Sequence, residues 1–246
     1  MAWAKPTTIT SWSFSRYKAY DQCPFKLKMS ALEKIKEPQS APMKRGDDIH
    51  KLADAFIKGE IKKLPAELSL FQNFFKKMKA LYKKRPGLIA IEETWAFRRD
   101  WTRTTWNDWA GCWLRVKLDC AYFSDNMTLS VVDHKTGKFS PEYNLEDYML
   151  QLDLYAAAGL IIYADKGPNL RIIPRLHFLD HEIIYPEPGN EKVYTPADLP
   201  RLKKEWEKRV RPMLNDKTFA PKPNRFCYSC FFRSGNKAAG GGQCKF

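Results

Sequence analysis

The chain has 246 residues, of which 44% are hydrophobic, 28% charged and 14% aromatic; this suits one large folded domain, or one domain with an appended module, and excludes a disordered, collagen-like or disulfide-framework chain. Its 42 Lys and Arg outnumber 28 Asp and Glu for a net charge of +14, which favours a polyanionic partner, nucleic acid ahead of an acidic membrane surface. The opening stretch MAWAKPTTITSWSFS lacks the apolar centre of a leader, and the longest apolar run, Ala156 to Ala164, falls short of the ~20 residues that span a bilayer, so a soluble, cytoplasmic protein with no membrane partner is expected.

Elements follow in chain order. Thr10 to Leu32 carries Ser and Thr caps and helix formers, and Pro24 predicts a kink or end near Cys23. Met43 to Lys58 spaces Ile49, Leu52, Ala53, Phe56 and Ile57 as a helix face, and Ala66 to Lys84 does the same with Leu70, Phe74, Met78 and Leu81. Three strand-like runs follow, LIAIEETWAFRR, GCWLRVKLDCAYF and MTLSVVDHKTG, with Ser124 to Asn126 as the last turn; they predict a β-meander. Cys112 and Cys120 then fall on one face with Leu114, Val116 and Leu118 as core thiols. Asn144 to Tyr163 is a helix stopped by Gly167 and Pro168, RIIPRLHFLDHEIIY a strand or strand pair, and Pro200 to Leu214 the last helix. The pattern predicts an α/β fold, a sheet core flanked by helices.

Chemistry gathers in the third strand run. A period of two puts Asp133 and Lys135 on one face and His134 on the other, and the short turn brings Asp119 of the preceding run beside Asp133. Two carboxylates and a lysine suit phosphodiester hydrolysis: the acids hold Mg²⁺ or Mn²⁺, the His134 carbonyl offers another oxygen, and the lysine orients the attacking water. The alternative is a surface ion pair between Asp133 and Lys135.

The segment VVDHKTGK, with Asp119 upstream and Gln151 and Tyr155 downstream, resembles the RecB-like and Cas4-like branch of the PD-(D/E)XK nucleases, through its D…(D/E)-x-K-T-G and Q-x-x-x-Y motifs. MKRGDDIHKLADAF resembles that branch's G-x-x-x-H helix, and SFSRYKAYDQCPFKLKM its N-terminal Cys-Pro segment. The resemblance implies a restriction-endonuclease-like mixed sheet and a metal-dependent exonuclease of the phage-encoded kind, acting on DNA ends or single strands. Endonuclease, Cas4-like processing and non-catalytic adaptor readings stay open beside it. His50 would be a metal ligand, the alternative being a buried histidine bonded to a carbonyl. Gln151 and Tyr155, four apart on one helix face, would hold the strand or orient Lys135. Glu93, alternating with Ile91, Trp95 and Phe97, would point inward to the metal or Lys135, unless the register favours the adjacent Glu92.

Cys227 and Cys230 form C-x₂-C, with Cys244 after thirteen more residues. In the resembled nucleases a fourth cysteine in the Cys-Pro context of Cys23 completes a 4Fe-4S cluster that joins the chain ends. Zinc and free thiols remain alternatives. The organisation implied is a nuclease domain over 1–216 and a Cys-rich tail over 217–246 that packs on the N-terminal segment. Lys58 to Arg85 carries nine basic residues against two Glu, and residues 217–246 carry six against none, further support for DNA. Five of the eight Trp lie between Trp95 and Trp113 among arginines, consistent with base stacking or with core packing. His177 and His181 have ligand-like spacing but on a strand, and are read as non-ligands. The sequence holds no G-x-x-x-x-G-K-S/T segment, so unwinding would need a helicase or recombination partner.

Overall fold

The computed structural model describes residues 7–246, so the first six residues of the stretch read for a leader lie outside the described residues. The N-terminal helical run divides where proline requires. Helix α1 (Phe14–Gln22) starts on Ser13, whose hydroxyl accepts the Arg16 N–H, and ends at Cys23; α2 (Pro24–Leu27) restarts with Pro24 in its first turn and continues as a π-turn to Leu32. Helix α3 (Ala41–Lys58) is capped by Ser40 and stopped by Gly59 in the left-handed region at φ 85°.

The next run is a 3₁₀ segment (Ala66–Phe71) leading into α4 (Gln72–Lys84). Met78 is buried, and Phe74 and Leu81 pack half-buried beside it as expected, but the tighter turn ahead of α4 leaves Leu70 45% exposed and buries Leu68 and Phe71 instead, with Phe75 joining them from the helix.

Two of the three strand runs are broken, and the breaks organise the molecule. LIAIEETWAFRR splits into β1 (Ile89–Ile91) and β2 (Thr94–Phe97); β3 (Arg103–Thr104) follows; GCWLRVKLDCAYF splits into β4 (Leu114–Lys117) and β5 (Cys120–Phe123). Next come β6 (Thr128–Lys135), α5 (Pro141–Ile162), β7 (Arg171–Phe178), β8 (Ile183–Tyr185) and α6 (Leu199–Asn215). One sheet runs β1-β5-β6-β7-β8 and a second runs β3-β2-β4. The predicted single meander is therefore two sheets, with the chain crossing between them at Glu92–Glu93 and again at Leu118–Asp119. Cys112 and Cys120 are both buried, as expected of core thiols, but Cys120 does not share a face with Leu114, Val116 and Leu118: it belongs to the large sheet and packs with the α3–α4 cluster.

The large sheet is mixed. β6 and β7 pair in parallel, from Thr128↔Arg171 to Lys135↔Phe178, and α5 is the crossover that parallel neighbours require; the other pairs are antiparallel. One sheet face, with Leu129 and Val131, packs on α5, and the other, with Val132 and Cys120, packs on α3 and α4. α5 is buried along Ala156–Leu160, and Gly159 lets it approach closely: a Cβ there would lie 3.3 Å from Ile172 Cδ1.

Trp12 ties the N-terminus to the small sheet and to α6. Its N–H donates to the Trp113 carbonyl at 2.7 Å, its carbonyl accepts from Arg115 N–H at 2.9 Å, and its ring stacks on Trp206 at 5.2 Å. The tail returns to the end of α1, where Asn224 Nδ2 donates to the Gln22 carbonyl at 2.9 Å and Lys222 Nζ to the Asp21 carbonyl at 2.7 Å. Among the described residues no helix is long and apolar enough to cross a membrane.

Trp206 is 1% exposed and touches Trp12, Phe14 and Tyr17. Trp206→Ala is expected to lower stability by about 3–5 kcal/mol, read as a fall in the urea midpoint; a loss below 1 kcal/mol would mean that α6 is not anchored through this ring.

Candidate active site

The alternation of β6 directs Leu129, Val131, Asp133 and Lys135 toward α5, and the helix answers with Gln151 and Tyr155, one turn apart. Lys135 Nζ lies 2.8 Å from Asp133 Oδ2 and donates to Gln151 Oε1 at 2.8 Å. Gln151 Nε2 donates to Asp133 Oδ1 at 3.1 Å and lies 2.9 Å from Tyr155 Oη; Tyr155 Oη in turn makes a short hydrogen bond to Asp133 Oδ1. Burial, then the charges of Asp133 and Asp119, push the Tyr155 phenol well above its ordinary range, so it stays a donor. Asp133, Gln151 and Tyr155 are buried, which sets Asp133 and the lysine in fixed positions.

The two crossings between sheets supply the other acids. They run side by side: Glu92 N–H donates to the Asp119 carbonyl at 2.9 Å, and Leu118 N–H to the Glu93 carbonyl at 3.1 Å. Asp119 Oδ2 accepts the His134 N–H at 2.6 Å, and Oδ1 lies 3.0 Å from His50 Nδ1. Burial works against the charged forms of both groups, but their mutual hydrogen bond and charge outweigh it, leaving the His50 pKa raised and the Asp119 pKa lowered. His50 can stand this close because Gly46, one turn earlier, lets α3 meet the end of β6: a Cβ on Gly46 would sit 3.0 Å from Thr136 Oγ1.

Glu93 does not join this site. It is exposed and borders a separate hollow with Arg103 and Tyr163. Glu92 occupies the place expected for it, because its φ of +51° breaks the strand and alternation cannot be counted through that turn. Ligand atoms of His50, Glu92 and Asp119 lie within 4.8 Å of one another, and Lys117 Nζ is 2.5 Å from Glu92 Oε2. The sequence signal for Glu92 was the Glu-Glu pair at the end of an apolar strand.

His134 turns its ring to the opposite face, against Phe75 at 5.3 Å, where burial lowers its pKa. Its carbonyl points to the Asp119 side, since the Lys135 carbonyl is taken from the other edge by Leu179 N–H at 2.9 Å and strand carbonyls alternate. His177 is buried in the same aromatic cluster, stacked on Phe71, and belongs to no metal-ligating group among the described residues.

His50, Glu92, Asp119, Asp133 and Lys135, with Gln151 and Tyr155, line one cleft of about 880 Å³. Its donors are carboxylate oxygens and one imidazole, a hard set that fits Mg²⁺ or Mn²⁺. Asp133 Oδ2 is buried and faces the Lys135 ammonium at 2.8 Å. Elsewhere, Cys23, Cys227, Cys230 and Cys244 line a single smaller cavity between the tail and the end of α1.

Glu92→Gln is expected to weaken Mn²⁺ binding by about tenfold or more, followed by calorimetric titration, whereas Glu93→Gln should leave it unchanged. Equal affinities in the two variants would remove Glu92 from the site.

None of the curated proteins matches the chain. Among solved structures, one described as the crystal structure of SSO0001 is 14% identical and covers 91% of this chain and 84% of its own, with a TM-score of 0.37; at these values it adds nothing to the assignment. A family model described as the PD-(D/E)XK nuclease superfamily matches residues 11–234, nearly the whole of the described chain and all of the cleft residues above. The chain belongs to the PD-(D/E)XK nuclease superfamily.

Proposed function

We propose that this nuclease is a Mg²⁺- or Mn²⁺-dependent exonuclease of the RecB-like and Cas4-like kind, acting on DNA ends or single strands. The observation that carries the reading is the convergence of Asp133, Lys135, Asp119 and His50 with Gln151 and Tyr155 in one cleft: the histidine of the G-x-x-x-H segment meets Asp119, and the Q-x-x-x-Y residues meet Asp133. A divalent cation held by Asp119, Asp133, His50 and Glu92, with the His134 carbonyl in reach, would supply positive charge against the scissile phosphate and lower the pKa of the attacking water. Lys135, held between Asp133 and Gln151, orients that water and offsets charge developing on the phosphate. Tyr155 and Gln151 keep Asp133 and Lys135 in register with each other. Asp119 and His50 fix the opposite wall. A helicase or recombination partner would deliver the unwound strand.

The four cysteines support a second group. Four thiols around one cavity suit a 4Fe-4S cluster completed by Cys23, with zinc as the alternative, and either would make residues 217–246 a structural staple between the chain ends.

With end-labelled linear DNA and Mg²⁺, Asp133→Asn and Lys135→Ala should each slow release of label by about 10²–10⁴-fold, while gel retardation in EDTA is retained. Undiminished digestion by both variants overturns the active-site assignment, and nicking of closed circular single-stranded DNA overturns the exonuclease reading. Anaerobically purified protein should be brown and contain iron, with colour lost in Cys244→Ser; colourless, iron-free protein removes the cluster.

A further inference from the structure

A second cluster borders the same cleft, one short strand away from Asp119. Arg115 and Lys117 share the exposed face of β4, whose other face buries Leu114 and Val116. The Arg115 guanidinium donates to Ser11 Oγ at 3.1 Å and to the Trp106 carbonyl at 3.1 and 3.2 Å. Arg16, on α1, donates to the same Ser11 Oγ at 2.8 Å and to the Ser11 carbonyl at 2.9 Å. Two guanidiniums thus converge on one hydroxyl, and among the described residues neither is paired with a carboxylate. Burial and the neighbouring Arg115 charge both lower the Arg16 pKa, as expected for cations brought together without a counter-charge.

Beside this pair stand two indoles with no core to fill. The Arg115 guanidinium carbon lies 5.6 Å from the Trp106 ring centre and 5.3 Å from that of Trp109. Trp109 is 81% exposed and Trp106 36%, whereas Trp95, Trp101 and Trp113 of the same tryptophan-rich stretch are buried. Arg16, Trp106, Arg115 and Lys117 line the cleft that also holds Asp119, Asp133 and Lys135. A basic pair beside exposed aromatic faces is the chemistry that takes a nucleotide, its phosphate on the cations and its base on the ring.

We propose that Arg16 and Arg115 clamp a backbone phosphate of unpaired DNA, that Trp109, with Trp106, stacks on the adjoining base, and that the substrate strand thereby enters the cleft single-stranded. The interior of a duplex cannot satisfy this subsite, because its bases are stacked on one another and show no free face. The direction of the strand toward Asp119 rests on the nuclease reading; the binding itself does not.

The test uses the full chain in EDTA, with fluorescein-labelled oligo(dT) and a blunt hairpin duplex of equal length read by anisotropy. Trp109→Ala should weaken oligo(dT) binding by at least about fivefold and leave hairpin binding unchanged, with Trp109→Phe restoring most of the loss. Arg16→Gln should reduce the slope of log affinity against log salt for oligo(dT) by about 0.7. Full oligo(dT) affinity in Trp109→Ala, or an equal loss on both DNAs, overturns the proposal. The expected pattern in a protein that fails to digest DNA with Mg²⁺ would sustain the subsite and sink the nuclease reading, so the two failures are separable.

Discussion

Beyond Cys120, β5 no longer pairs with β6, and the N–H of His134 faces the cleft with no strand partner; the carboxylate of Asp119 takes that place at 2.6 Å. The contact is a charge-assisted hydrogen bond from a rigid central strand, and it holds an acid at a fixed height beside Asp133. His50 then meets the other oxygen of Asp119, and Glu92 is placed by its own N–H on the Asp119 carbonyl. His50 from α3 and Glu92 from the other crossing therefore take their positions from one residue that lies outside every strand.

The two sheets make this possible. A continuous meander would carry Glu92 and Asp119 within regular ladders, their side chains alternating between the helix layers. Breaking both runs at the same level produces two adjacent irregular links where backbone groups bond each other and the side chains gather at one rim. Such a break is stable only because each half-strand finds a different partner: β1 and β5 join the large sheet, β2 and β4 the small one. The small sheet is anchored by Trp12 and α6, so packing remote from the cleft holds the crossings in place.

The same arrangement places the proposed strand-binding groups next to the carboxylates. β4 leaves the small sheet carrying Arg115 and Lys117 on its open face, and the next link delivers Asp119. A strand of DNA following that face would pass from cations and indoles to carboxylates along one continuous run of chain.

Local pattern was enough for much of this. The period of two in VVDHK alone assigned Asp133 and Lys135 to one face and His134 to the other, since a strand's alternation is a local property. The four-residue spacing of Gln151 and Tyr155, and of Gly46 and His50, likewise fixed shared helix faces, and proline at position 24 fixed the break in the first helix. What failed was parity carried across a break: Glu93 was assigned by counting through Glu92, whose positive φ reverses the count, and Cys112 was aligned with Cys120 through a link where the chain changes sheets. Leu70, ahead of the fourth helix, fell outside the core for a related reason, as the 3₁₀ entry changed the phase there while Phe74, Met78 and Leu81 kept theirs. The sequence by itself determined which residues share a face within each unbroken element, because that follows from backbone geometry over a few residues. Only the tertiary structure decided which faces meet, that Glu92 rather than Glu93 reaches the cleft, and that four distant cysteines border one cavity, because those outcomes depend on strand partners chosen across the whole chain.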